Sequence, residues 1–181
     1  MKHINLNPMN PPLNWQDKLP DELPQGWGER AAVLCQAQSL TAALRALGGS
    51  FTVKVLYMGE LDGLGNPFGG NYAETAAPQF VRDVLLHLDG VPVVQARSAC
   101  SPQSQAWRGV LDCGTQPLGE RLFDGTLPLK RSAFEFCLME NVGGQDDFRR
   151  PVAARRSYFD WDGEVLELTE YFLPGLARIM R

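Results

Sequence analysis

The chain has 181 residues, 44% of them apolar and 21% charged, which suits one globular domain with a sizeable core. A net charge of -4 leaves no basic excess for nucleic-acid phosphates, and no apolar run is long enough for a membrane span. The N-terminus, MKHINLNPMNPPLNW, lacks the apolar stretch of a secretory signal.

Residues 1–26, rich in Asn and Pro, read as an extended or flexible lead-in, with a single domain over 27–181. Trp27 to Gln36 carries helical signals. Ser39 suits the N-cap of a helix from Leu40 to Leu47, which Gly48-Gly49 ends. Phe51 to Tyr57 alternates like a strand. The glycine-rich stretch 59–73 lacks the Gly-Lys-Ser/Thr ending of a phosphate loop and reads as a flap or surface loop.

Phe80–Leu88 and Val91–Ser98 form a hairpin about Asp89-Gly90. Helices are expected over 102–112 and 117–123, the second started by Pro117. A strand follows over Leu129 to Met139. The Asp146-Asp147-Phe148-Arg149-Arg150 cluster reads as a solvated loop. A last hairpin runs Arg155–Trp161, Asp162-Gly163, Glu164–Phe172. Helices first and hairpin-linked strands after them predict an α+β fold, a twisted antiparallel sheet flanked by helices.

Four cysteines without C-x-x-C spacing and only two histidines, His3 and His87, argue against a zinc site. The cysteines read as reduced thiols in a cytoplasmic protein. His87 points away from the charged face described next and His3 lies in the lead-in, so nucleophilic sets that need a histidine are weak.

The informative residues are charges on apolar strand faces. In VLELTEYFLP, Glu170 shares a face with Leu166, Leu168 and Phe172. A tight turn at Asp162-Gly163 sets Arg155 opposite Glu170. In the first hairpin Arg82 shares a face with Phe80, Val84, Leu86 and Leu88. A tight turn at Asp89-Gly90 sets Arg82 opposite Arg97. Facing like charges repel unless an anion lies between them, and an arginine fork suits a carboxylate. Each residue alone fits an internal ion pair. Together they point to a cavity for an organic acid, without metal or nucleotide.

The same residues carry a resemblance. FVRDVLLHLDGVPVVQARS, TQPLGERLF and ARRSYFDWDGEVLELTEYFLP resemble, in order and spacing, three signature blocks of the chorismate lyase family of the bacterial ubiquinone pathway. The likeness runs from about Trp27 to Pro174. It implies cofactor-free cleavage of chorismate to 4-hydroxybenzoate and pyruvate, by a monomer whose site lies beneath flap-like segments.

The resemblance also implies roles. Arg82 holds the ring carboxylate, aided by the backbone N–H of Leu118, and Glu170 contacts the hydroxyl end. Arg97 lies near the cavity and suits the enolpyruvyl carboxylate. Leu40 stands where the family has a methionine, and Ala96 where it has a glycine. Glu170 acts as general base for the C4 proton, or only positions the substrate for a concerted internal hydrogen transfer. Two other readings stay open. One is a non-catalytic binding domain for aromatic acids, since ligand-binding domains of some transcription regulators resemble this fold. The other is a lyase making a different hydroxybenzoate.

Overall fold

A computed structural model describes residues 14–62, 77–139 and 151–180. His3, most of the 59–73 loop and the charged cluster at 146–150 lie outside them. Its elements in chain order are α1 (Glu29–Cys35), α2 (Leu40–Ala46), β1 (Phe51–Leu61), β2 (Gln79–Leu88), β3 (Val91–Cys100), α3 (Gln105–Leu111), α4 (Leu118–Phe123), β4 (Lys130–Arg131), β5 (Glu135–Met139), β6 (Val152–Trp161), β7 (Glu164–Phe172) and α5 (Pro174–Ile179). The seven strands form one antiparallel sheet in the order β1-β2-β3-β7-β6-β4, with β5 also pairing with β6. This is the α+β arrangement expected from the sequence.

Local chemistry accounts for most boundaries. The Ser39 side chain caps α2 by accepting from the N–H of Ala42, and Ser104 caps α3 by accepting from that of Trp107. Both Asp-Gly turns take positive φ at both residues (51° and 78° at 89–90, 52° and 90° at 162–163), which matches the twist of a two-residue hairpin. The lead-in docks through Gln16, which exchanges backbone hydrogen bonds of 2.8 and 2.7 Å with Phe136 on the sheet edge. One core fills the helix-covered face, with Leu44, Trp107, Leu111, Phe159, Leu166 and Phe172 at its centre.

Three expectations need correction. β1 does not stop at Tyr57; antiparallel pairing with β2 carries it through Gly59 to Leu61, so the glycine-rich loop starts later.

The second correction concerns the first hairpin. Leu88 pairs with Val91 and His87 with Pro92, but Leu86 pairs with Val94, which leaves Val93 as an extra residue. From there the register shifts by one, and Arg82 faces Ser98 while Arg97 faces Asp83. The bulge lets the adjacent Val93 and Val94 both enter the core, each fully buried. A regular register would send them to opposite faces. Burying one more valine is worth ~1.5–3 kcal/mol, and the shift also replaces an Arg–Arg pair by an Arg–Asp pair.

The third concerns 129–139, which is two strands. Arg131 pairs with Phe159 and Glu135 with Arg156, so three residues, 132–134, stand against two on β6. Ser132 fills the break, its N–H donating to the Tyr158 carbonyl and its Oγ accepting from the Tyr158 N–H. The second hairpin follows the count from its turn, with Trp161 opposite Glu164, Ser157 opposite Leu168 and Arg155 opposite Glu170.

Candidate functional site

A cavity of about 500 Å³, its mouth included, lies between the sheet and helices α2 and α4. Its sheet wall is Val53, Arg82, Val84, Leu86, Ala96, Ser98, Leu168 and Glu170. The helical wall brings Leu40, Thr41, Leu118, Gly119 and Phe123, and Arg131 enters from β4. The α2 and α4 walls meet closely at Gly119, where a methyl group would come 2.9 Å from Thr41 Oγ1. Of the candidate residues, Arg82, Glu170, Leu118 and Leu40 line this space.

Arg97 does not line it. It lies on the other face of the sheet, where Nε and Nη2 each donate to Asp83 at 2.8 Å. Burial pushes the Asp83 carboxyl above its usual range, against the pull of Arg97.

Arg82 is 2% exposed. Its Nη2 donates to the carbonyls of Gly114 at 2.8 Å and Gln116 at 3.2 Å, tying down the loop that leads into α4. Its Nε is buried and has no partner among the described residues. Burial lowers its pKa, against a smaller opposing pull from Cys113. Leu118 opens α4, so its N–H belongs to the first turn, where no intrahelical acceptor exists.

Glu170 accepts from Arg155 Nε at 2.5 Å through Oε2. Arg155 is itself 1% exposed, and its Nη1 donates to the carbonyls of Cys35 and Ala37 between α1 and α2, at 2.8 and 2.6 Å. The helical cover thereby fixes the arginine, and the arginine holds the glutamate. An ion pair so buried keeps Glu170 oriented at the cavity wall; removing either partner strands a charge.

Arg131 is the residue that sequence reasoning missed. Its Nε donates to Ser157 Oγ at 3.1 Å and its Nη1 to the Gln38 carbonyl at 2.7 Å. The guanidinium stacks over Phe134 at 4.1 Å, with Phe123 and Phe159 each at 5.1 Å. Burial, and next the nearby Arg155, push its pKa down to about 10. The available signal was Ser132-Ala133, a weak strand pair that interrupts the apolar alternation.

The cysteines are free thiols, and burial raises Cys35 to about 12 and Cys100 to about 11, so neither is poised as a thiolate. His87 sits on β2 opposite Thr52, outside the cavity lining. No helix among the described residues is long and apolar enough to cross a membrane.

The family model and the curated relatives name one family. The "Chorismate lyase" family model matches residues 18–180. A "Probable chorismate pyruvate-lyase" of Ralstonia nicotianae is 35% identical over 90% of this chain and 90% of its own length. One from Shewanella amazonensis is 35% identical over 88% of this chain and 83% of its own. One from Shewanella loihica is 31% identical over 96% and 94%. Among solved structures, PhnF from Mycobacterium smegmatis is a distant likeness, with a TM-score of 0.48 and 15% identity over 84% of this chain and 66% of that one. The family match spans every wall of the cavity, and the chain belongs to the chorismate lyase family.

Proposed function

We propose that the cavity binds chorismate and releases 4-hydroxybenzoate and pyruvate, the step that opens ubiquinone synthesis, without a cofactor. The observation that carries this reading is Arg82, a buried guanidinium in a cavity wall with an unpartnered Nε. A buried donor without an acceptor costs ~1–3 kcal/mol, and more when charged, and a carboxylate there would recover it. The ring carboxylate takes that place, with the Leu118 N–H as a further donor.

Glu170 meets the 4-hydroxyl at the other end of the ring. Breaking the C3–O bond and removing the C4 hydrogen makes the ring aromatic, so much of the driving force belongs to the substrate. The wall has to hold one conformer, exclude water and keep charge in place. In the stepwise route Glu170 takes the C4 proton as the C3–O electrons leave on the pyruvate enolate, which is then protonated at carbon. In the concerted route the C4 hydrogen passes to the enolpyruvyl methylene and Glu170 only positions the ring. Deuterium at C4 separates them: label in the pyruvate methyl during a single turnover identifies internal transfer, and complete loss to solvent identifies the base.

The direct test is to mix purified protein with chorismate and to identify both products. Appearance of 4-hydroxybenzoate with equimolar pyruvate is the expected result. Another hydroxybenzoate isomer would move the chemistry to a different ring carbon. Tight binding of aromatic acids without any turnover would make the chain a binding protein. An enclosed aromatic product also predicts slow release, seen as a burst of 4-hydroxybenzoate before a slower steady state.

A further inference from the structure

Chorismate carries two carboxylates, and the displacement of Arg97 to the far face leaves the second one without its expected partner. We infer that Arg131 binds the enolpyruvyl carboxylate and so selects a dianionic substrate over the monoanionic product, an assignment that rests on the chorismate reading above.

Charge is the first argument. Arg82, Arg131 and Glu170 line the cavity, and Arg155 stands behind Glu170. Arg155 and Glu170 neutralise each other. Two positive charges remain, one on Arg82 and one on Arg131, and no acidic side chain among the described residues bonds to either. A dianion balances that wall; a monoanion leaves one cation desolvated and unpaired.

Placement is the second. Arg82 stands on β2 and Arg131 on β4, with β3, β7 and β6 between them. At ~4.8 Å for each of four strand steps, the two backbones stand well apart along one sheet, and the two forks are set for separate carboxylates. Glu170, on β7, lies between them in the strand order.

Pre-organisation is the third. Ser157, Gln38 and the Phe134 ring hold the Arg131 plane, while its Nη2 makes no hydrogen bond among the described residues. A planar cation fixed by stacking, with a donor to spare, loses little entropy on gripping a carboxylate. Burial and the neighbouring Arg155 lower its pKa to about 10, with Glu170 opposing them, and a carboxylate on the guanidinium would offset that cost.

Two probes of one ring framework test the assignment: 4-hydroxybenzoate and its dicarboxylate relative 3-(carboxymethoxy)-4-hydroxybenzoate, titrated calorimetrically into wild type, Arg131→Gln and Arg131→Lys. Arg131→Gln is expected to lose on the order of 10- to 100-fold in affinity for the dicarboxylate, the worth of a charge-assisted hydrogen bond. Its affinity for 4-hydroxybenzoate should change little, which also shows that it folds. Arg131→Lys should recover part of the loss. With chorismate, the KM of Arg131→Gln should rise more than its kcat falls. Equal losses for both probes, or no loss for either, would overturn the assignment. If Arg131→Gln does not fold, Arg131→Lys decides by the same comparison. A wild type that shows the expected selectivity but does not turn chorismate over would sink the lyase reading and leave the role of Arg131 standing. Turnover that is indifferent to residue 131 would do the reverse.

Discussion

The β2–β3 and β6–β7 hairpins turn on the same Asp-Gly dipeptide, with both residues at positive φ, and they treat their arginines oppositely. In β6–β7 the register runs unbroken and Arg155 meets Glu170 at the cavity wall. In β2–β3 the extra Val93 turns Arg97 away from Arg82 and onto Asp83, behind the sheet. Each hairpin thus ends with an arginine–carboxylate pair, but the buried Arg155–Glu170 pair faces the cavity, and the Arg97–Asp83 pair, half-buried at its arginine, faces away. A similar insertion between β4 and β5 acts in the opposite sense and turns Arg131 inward. Strand side chains alternate with a period of two, so one inserted residue exchanges the faces of everything beyond it.

The most direct way to break this comparison is to delete Val93. The deletion removes the inserted residue itself, so Leu86 keeps Val94, Asp83 keeps Arg97, and Arg82 still faces the cavity. The expected cost is one buried valine, ~1.5–3 kcal/mol, and the hydrogen bond that the Leu173 N–H donates to the Val93 carbonyl, ~0.5–1.5 kcal/mol, read as a lower urea midpoint. A folded deletion variant that no longer binds 4-hydroxybenzoate would refute the account of the bulge.

Next is Arg82→Met. It should reduce kcat/KM and 4-hydroxybenzoate affinity by roughly 10²- to 10⁴-fold, the equivalent of ~3–5.5 kcal/mol for a buried charged contact. Steady-state rates and product titration read this directly.

The unbroken hairpin gives a sharper test by a double change. Glu170→Gln alone leaves Arg155 uncompensated and should cost ~3–5 kcal/mol in urea unfolding, whereas Arg155→Met with Glu170→Leu should cost much less, and both should lose activity. Equal destabilisation of the two would mean that the pair supports the fold itself rather than the orientation of the acid.

The mildest effect is expected at Arg97→Met, and it depends on pH. Burial already raises Asp83, and without Arg97 its folded pKa rises further. A group with a raised folded pKa contributes its stability below the unfolded value, and that contribution is lost as pH rises through the folded one. The deficit of Arg97→Met should therefore be small below about pH 4 and grow above it. A deficit that shrinks with rising pH would contradict the pairing.

The turns, the strand faces of Arg82 and Glu170 and the Arg155–Glu170 register were legible because a two-residue Asp-Gly turn fixes the count from its own position. The faces of Arg97 and Arg131 were not. A bulge is decided by what the extra residue gains in the folded core, and only the adjacent Val93-Val94 hints at that gain. Reading 129–139 as one strand placed Arg131 on the same face as Glu135, where a charge carries no mark of a cavity. The contributions of Leu40 and Leu118 to the wall came from family likeness, since apolar residues at helix starts carry no mark of a cavity.

Gly175 gives the first hairpin a remote dependence. It opens the C-terminal helix against the carbonyl of Pro92, one residue before the inserted Val93, and a methyl group at 175 would collide with that carbonyl. The helix can therefore clamp the kink only while position 175 stays bare. Substitution there, outside the cavity lining, would loosen the parity of the strand and so unsettle the choice of guanidinium that greets the ligand.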